Sequence, residues 1–154
     1  MTHYRVIVNP VSGRGEGQRS LPDVEAKFKQ HNISYSIRVT DHPWDAADLA
    51  FQAAQDGCDI VVSVGGDGTV NEVVNGLMRA RQTGISVPAL GVLTVGRGND
   101  FAAGVGIPGD LEEAFQILVN NVRRPLDVGY VVGGDYPQGR YFANGIGIGF
   151  DAVV

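Results

Sequence analysis

Apolar and polar positions along this chain switch repeatedly between a strand period and a helix period. Tyr4 to Val8 is an apolar-rich run that stops at Asn9-Pro10 and predicts a strand. Gly13, Gly15 and Gly17 then predict a flexible loop, followed by a helix with Ser20 as N-cap and Pro22 in its first turn. Leu21, Val24 and Phe28 mark its buried face. A second strand is expected over Ile33 to Val39, with Thr40 at its C-terminal end. Asp45 to Gln55 reads as a helix burying Ala46, Leu49, Ala50, Ala53 and Ala54, with Gly57 as its stop.

The run Ile60 to Val64 is almost wholly apolar, which fits a central parallel strand covered on both faces. Val70, Val73, Val74, Leu77 and Met78 then follow the i, i+3, i+4, i+7, i+8 rule of an amphipathic helix. A fourth strand is expected over Ala89 to Leu93. Asp110 with Glu113 three residues on predicts a capped helix whose face is Leu111, Ala114, Phe115, Leu118 and Val119. Strands alternating with helices at this spacing predict βαβ units and an α/β fold with a parallel sheet. The end breaks the rhythm: Leu126 to Val132 and Arg140 to Ile148 read as an antiparallel pair joined through Gly133-Gly134-Asp135. A division at residue 125 is therefore expected, with 126–154 leading into a second, β-rich domain cut off at Val154.

Composition narrows the function. The chain carries 22 glycines in 154 residues, about twice average usage, and they cluster between apolar runs where backbone turns sharply or approaches a ligand. The net charge of −5 and the absence of any basic cluster beyond Arg123-Arg124 argue against nucleic acid. A nucleotide remains compatible, because backbone amides hold phosphate without net positive charge. One cysteine, Cys58, excludes an internal disulfide, and with no signal-peptide pattern the expected location is the cytoplasm. No apolar run approaches the roughly 18 residues of a membrane span.

The candidate chemistry lies in Gly65-Gly66-Asp67-Gly68-Thr69, between the buried strand and the amphipathic helix. A helix N-terminus offers unpaired amides and partial positive charge, and glycines let a phosphate reach them. Thr69 and Glu72 are expected to form a capping box there. Asp67 is the odd member, since a carboxylate ~4 Å from a phosphate charge is repelled by about 4 kcal/mol at an effective dielectric near 20. Magnesium between the two resolves that conflict; the plain alternative is a tight turn with Asp67 as a cap. A second loop, Gly96-Arg97-Gly98-Asn99-Asp100, follows the next strand and opens at the same edge. Asn99 and Asp100 either cap the segment after them or face the ligand, and Arg97 offers a forked phosphate donor. Asn9 to Gly13 closes the first strand as a third contact or a plain proline turn.

Other signals lead nowhere. Gly104, Gly106 and Gly109 satisfy a dinucleotide spacing, but no strand precedes them. His3, His31 and His42 lack metal-ligand spacing, and Trp44 reads as a packing or helix-entry residue.

With these loops placed, the chain resembles the diacylglycerol kinase catalytic domain family, in particular the bacterial lipid kinases. The resemblance rests on the ordered set Asn9-Pro10-Val11-Ser12-Gly13, Thr40, Gly65 through Glu72 (with Val70 and Asn71 between), Gly96 through Ala102, Asp127, Phe142-Ala143-Asn144 and Gly149-Phe150-Asp151. It implies a three-layer α/β domain of the NAD kinase/diacylglycerol kinase type, followed by a β-sandwich. It also implies ATP and Mg2+ as cofactors, with Asn9, Ser12, Thr40, Gly65–Glu72, Gly96, Arg97, Asn99 and Asp100 lining the nucleotide site. Asp67 is implied to work with magnesium or as a base. Thr94 and Arg97 stand where the family usually carries proline and threonine.

The implied activity is transfer of the γ-phosphate to a lipid alcohol such as diacylglycerol, with peripheral membrane contact through the second domain. Because the general base is implied to come from that domain, this chain alone is expected to bind nucleotide weakly and transfer little phosphate. NAD kinase, and a non-catalytic nucleotide-binding module, are the alternatives. The β-rich end is expected to permit a homodimer.

Overall fold

The computed structural model describes residues 2–145. Strands β1 (His3–Val8), β2 (Ser34–Val39), β3 (Ile60–Gly65) and β4 (Ala89–Thr94) form one parallel sheet in the order β2-β1-β3-β4. Helices α1 (Ser12–Gln30), α2 (Asp45–Gln55) and α3 (Asp67–Gln82) make the crossovers, and α4 (Asp100–Gly104) and α5 (Leu111–Val119) follow β4. A hairpin of β5 (Gly129–Gly133) and β6 (Tyr136–Phe142) ends the described chain.

The two faces of the sheet follow from the two-residue strand period. Tyr4, Val6 and Val8 of β1, with Ile60, Val62 and Val64 of β3, pack against Val24 and Phe28 of α1 and Phe115 of α5. Ile7 and Val61 point the other way, onto Ala46, Ala50 and Ala53 of α2 and Val73 and Leu77 of α3. The sheet is thus covered on both sides, the three-layer arrangement that the family resemblance implies. All six residues of β3 are buried, as its continuous apolar run requires.

Three local expectations change. The glycine loop exists, with left-handed φ at Gly13 (61°), Arg14 (57°) and Gly15 (88°), but regular helix resumes directly after it. Ser20 therefore lies inside α1, where its hydroxyl donates to the Gly17 carbonyl (3.0 Å) and caps nothing. The second strand of the hairpin is Tyr136–Phe142 and starts before the expected Arg140, because the turn is only Gly134-Asp135. Ile148 and the Gly149-Phe150-Asp151 run lie outside the described residues. The third change is at the start of α3, below.

The hairpin does not stand apart from the α/β layers. Asn75 of α3 donates Nδ2–H to the Tyr141 carbonyl (2.9 Å), and its Oδ1 accepts the Tyr141 amide (2.9 Å). Gln82 donates to the Tyr141 hydroxyl (2.7 Å). Tyr141 and Val128 pack against Val74, Val92 and Phe101.

Candidate phosphate-binding site

Parallel strands deliver their C-terminal ends to one edge, so Asn9, Thr40, Gly65 and Val95 emerge side by side. The register fixes this: Val8 pairs with Val39 and with Val64, and Gly65 with Thr94. The Thr40 amide donates to the Val8 carbonyl (2.9 Å) and that of Asn9 to the Val64 carbonyl (3.0 Å).

The first turn of α3 carries the free donors. Gly66 is the N-cap, in extended conformation, and α3 begins at Asp67. Among the described residues no acceptor engages the amides of Gly66, Asp67, Gly68 or Thr69, whereas the Val70 amide donates to the Gly66 carbonyl (3.1 Å). A Cβ added at Gly68 would meet open space, so this wall of amides is uncovered. The capping box does not form, because the helix starts two residues before Thr69. The buried Thr69 hydroxyl instead accepts Nδ2–H from Asn9 (3.0 Å) and lies 3.4 Å from the Ser12 hydroxyl. Gly65 is required beneath it, since a Cβ there would run into the Thr69 side chain.

Asp67 has a structural task as well. Its Oδ1 accepts the Phe101 amide (2.9 Å) and its Oδ2 the Asp100 amide (3.0 Å). It thereby caps α4 across the edge, in place of Asn99 and Asp100, the caps that the sequence predicts. Asn99 instead donates Nδ2–H to the Gly96 carbonyl (3.3 Å), closing its own loop. Its Oδ1 is buried and has no partner among the described residues, at the side of Gly66. Such an orphan costs about 1–3 kcal/mol unless something in the turn satisfies it.

The sequence-predicted residues thus divide. Asn9, Ser12 and Thr69 form one linked group; Gly66 and Asn99, and Asp67 and Asp100, form two more. Gly96 lies against Gly13. Thr40 is buried at the same edge but has no side-chain bond to the others among the described residues. Arg97 is exposed, Glu72 and Asn71 are half-buried on α3, and the Val70 side chain is buried in the core beneath the turn.

Sequence reasoning missed two features. A cleft of about 340 Å³ opens between the start of α3 and the hairpin, lined by Asp67, Gly68, Asn71, Tyr136, Arg140 and Phe142 among others. No short-range signal marks it, since its walls lie far apart in sequence. Asp41, His42 and Asp45 also place ligand atoms within 4.8 Å of one another. This group is already occupied by internal contacts, His42 to Asp41 (3.3 Å) and Asp45 to the Asp41 amide (3.0 Å). No helix among the described residues is long and apolar enough to cross a membrane.

A parallel sheet covered on both faces, with glycine turns and unengaged amides at its carboxyl edge, defines an open α/β domain. Comparison with known proteins says which. The model of the diacylglycerol kinase catalytic domain matches residues 3–131, and the chain belongs to that family. It is 41% identical over 145 residues to a diacylglycerol kinase of Bacillus subtilis, covering 94% of this chain and 45% of that one. A diacylglycerol kinase of Staphylococcus aureus (strain MRSA252) is 34% identical over 140 residues, covering 91% and 41%. A solved structure of a diacylglycerol kinase from Bacillus anthracis superposes with a TM-score of 0.71 at 26% identity, covering 84% of this chain and 43% of that one. The chain spans a little under half the length of these relatives.

Proposed function

We propose that this chain is the nucleotide-binding part of a lipid kinase that transfers the γ-phosphate of Mg-ATP to the hydroxyl of a diacylglycerol-like lipid. The observation that carries the reading is the row of unengaged amides from Gly66 to Thr69, at the start of a sixteen-residue helix and uncovered at Gly68. A polyphosphate satisfies those donors and meets the positive end of the helix dipole.

Asp67 fits a magnesium ion in this setting. Each carboxylate oxygen accepts one amide and keeps a further lone pair, so the side chain is oriented and still able to bind a hard cation. Bound there, magnesium would neutralise phosphate charge. The chain's own residues supply positioning: amides hold the phosphates, Asn9 and Ser12 fix Thr69 beneath them, and Asp67 ties the second loop to the first. Positioning and charge neutralisation supply most of the catalysis in phosphoryl transfer.

The family match and the Gly98-Asn99-Asp100-Phe101-Ala102 loop favour a lipid acceptor over NAD. The general base and the membrane contact belong to sequence beyond the α/β layers in this reading.

The test is calorimetric titration of ATP, with and without magnesium, into the wild type and Asp67→Asn. Magnesium-dependent binding weakened by about tenfold or more in the variant is expected, the scale of one lost charge contact. Unchanged binding removes the site assignment. A form extended to the relatives' length is expected to phosphorylate dioctanoylglycerol and not NAD.

A further inference from the structure

The guanidinium of Arg140 lies over two aromatic rings, 4.2 Å from the centroid of Trp44 and 4.8 Å from that of Tyr136. Trp44 is the N-cap of α2 and Tyr136 opens β6, so the stack ties the hairpin to the start of α2, the neighbour of α3 on the same face of the sheet. Among the described residues Arg140 has no carboxylate partner and no side-chain hydrogen bond, and its Nε is buried with its donor unused. Ring faces stabilise the cation but leave the in-plane N–H fork unsatisfied. That fork is the part of arginine that matches a phosphate.

Among the described residues Arg140 is also the one basic side chain lining the 340 Å³ cleft, which it shares with Asp67, Gly68 and Asn71. In a chain of net charge −5 the cleft thus holds one fixed cation beside the free amides of α3. Holding an arginine still by stacking lowers the entropy lost when it binds.

We propose that Arg140 is a phosphate-holding residue of this cleft, set in place by Trp44 and Tyr136. The ligand group is a phosphate ester, carried by the nucleotide or by the phosphorylated lipid product. The proposal rests on the reading that residues 65–69 receive a polyphosphate, and deepens it by adding a cation from the hairpin.

Trp44 is the sole tryptophan, so its fluorescence reports on the stack directly. The experiment titrates Mg-ATP, and separately soluble dioctanoyl phosphatidate, into the 154-residue wild type, Arg140→Gln and Arg140→Lys, reading Trp44 emission and calorimetric affinity, with melting curves to confirm folding. In the wild type a saturable change in Trp44 emission is expected. Arg140→Gln is expected to lose that change and bind about tenfold more weakly or worse, the scale of a charge-assisted hydrogen bond. Arg140→Lys, which keeps the charge without the fork, is expected to fall between. The arm that shows the loss identifies the phosphate's source. Equal affinity of Arg140→Gln and wild type on both arms overturns the proposal and leaves the amide site standing. Absence of wild-type binding on both arms overturns both.

Discussion

Gly13 and Gly96 meet backbone to backbone: a Cβ on Gly13 would stand 2.8 Å from the Gly96 Cα, and one on Gly96 would stand 2.7 Å from the Gly13 Cα. Both have left-handed φ, 61° and 83°. The loops after β1 and β4 therefore close on each other only because neither glycine carries a side chain.

Gly96→Ala combines an unfavourable φ with contact against backbone that cannot swing aside. A loss of ~2 kcal/mol or more is expected, read as a lower denaturation midpoint. Nucleotide affinity should fall with it, as Asn99 belongs to the same loop. Full stability in the variant would show that the two loops are not in contact.

Asn75→Ala removes both bonds to the Tyr141 backbone at once. The amide and carbonyl of Tyr141 are left half-buried without partners, at roughly 1–3 kcal/mol for each unsatisfied group. Hydrogen exchange at the Tyr141 amide should accelerate well beyond that in β1 and β3. Asn75→Asp keeps the acceptor and loses the donor, so it should release the carbonyl alone.

His42 is expected to titrate above its ordinary value. Its ring hydrogen-bonds the Pro43 carbonyl (2.9 Å), and Asp41, Asp45 and Asp48 add favourable charge. The folded pKa exceeds the unfolded value of about 6.5. The associated stabilisation is thus fully present below that pH and lost as pH rises through the folded value. The imidazole midpoint measured by NMR should lie above 6.5 and drop in Asp41→Asn.

Much of the architecture was readable from residue order. The apolar runs of β1, β3 and β4 and the helix faces of α2, α3 and α5 follow local periods of two and 3.6, which operate within a few residues. The glycine turns were readable for the same reason, as was the Asp110 cap, whose Oδ1 accepts the Glu113 amide at 3.0 Å. Helix starts were less so: Ser20 and Thr69 have the right chemistry for caps, but earlier glycines had already begun each helix.

The chain order alone determined that glycine-rich turns fall at strand ends, and hence, in a parallel sheet, along one edge. Only the tertiary structure decided what those turns do to each other. Asp67 became the cap of a helix 33 positions on, Asn99 turned an unpartnered oxygen to Gly66, and Arg140 was stacked on Trp44 beside the cleft. These pairings depend on sheet order and hairpin docking, which bring distant segments within bonding distance and leave no local period for a sequence to display.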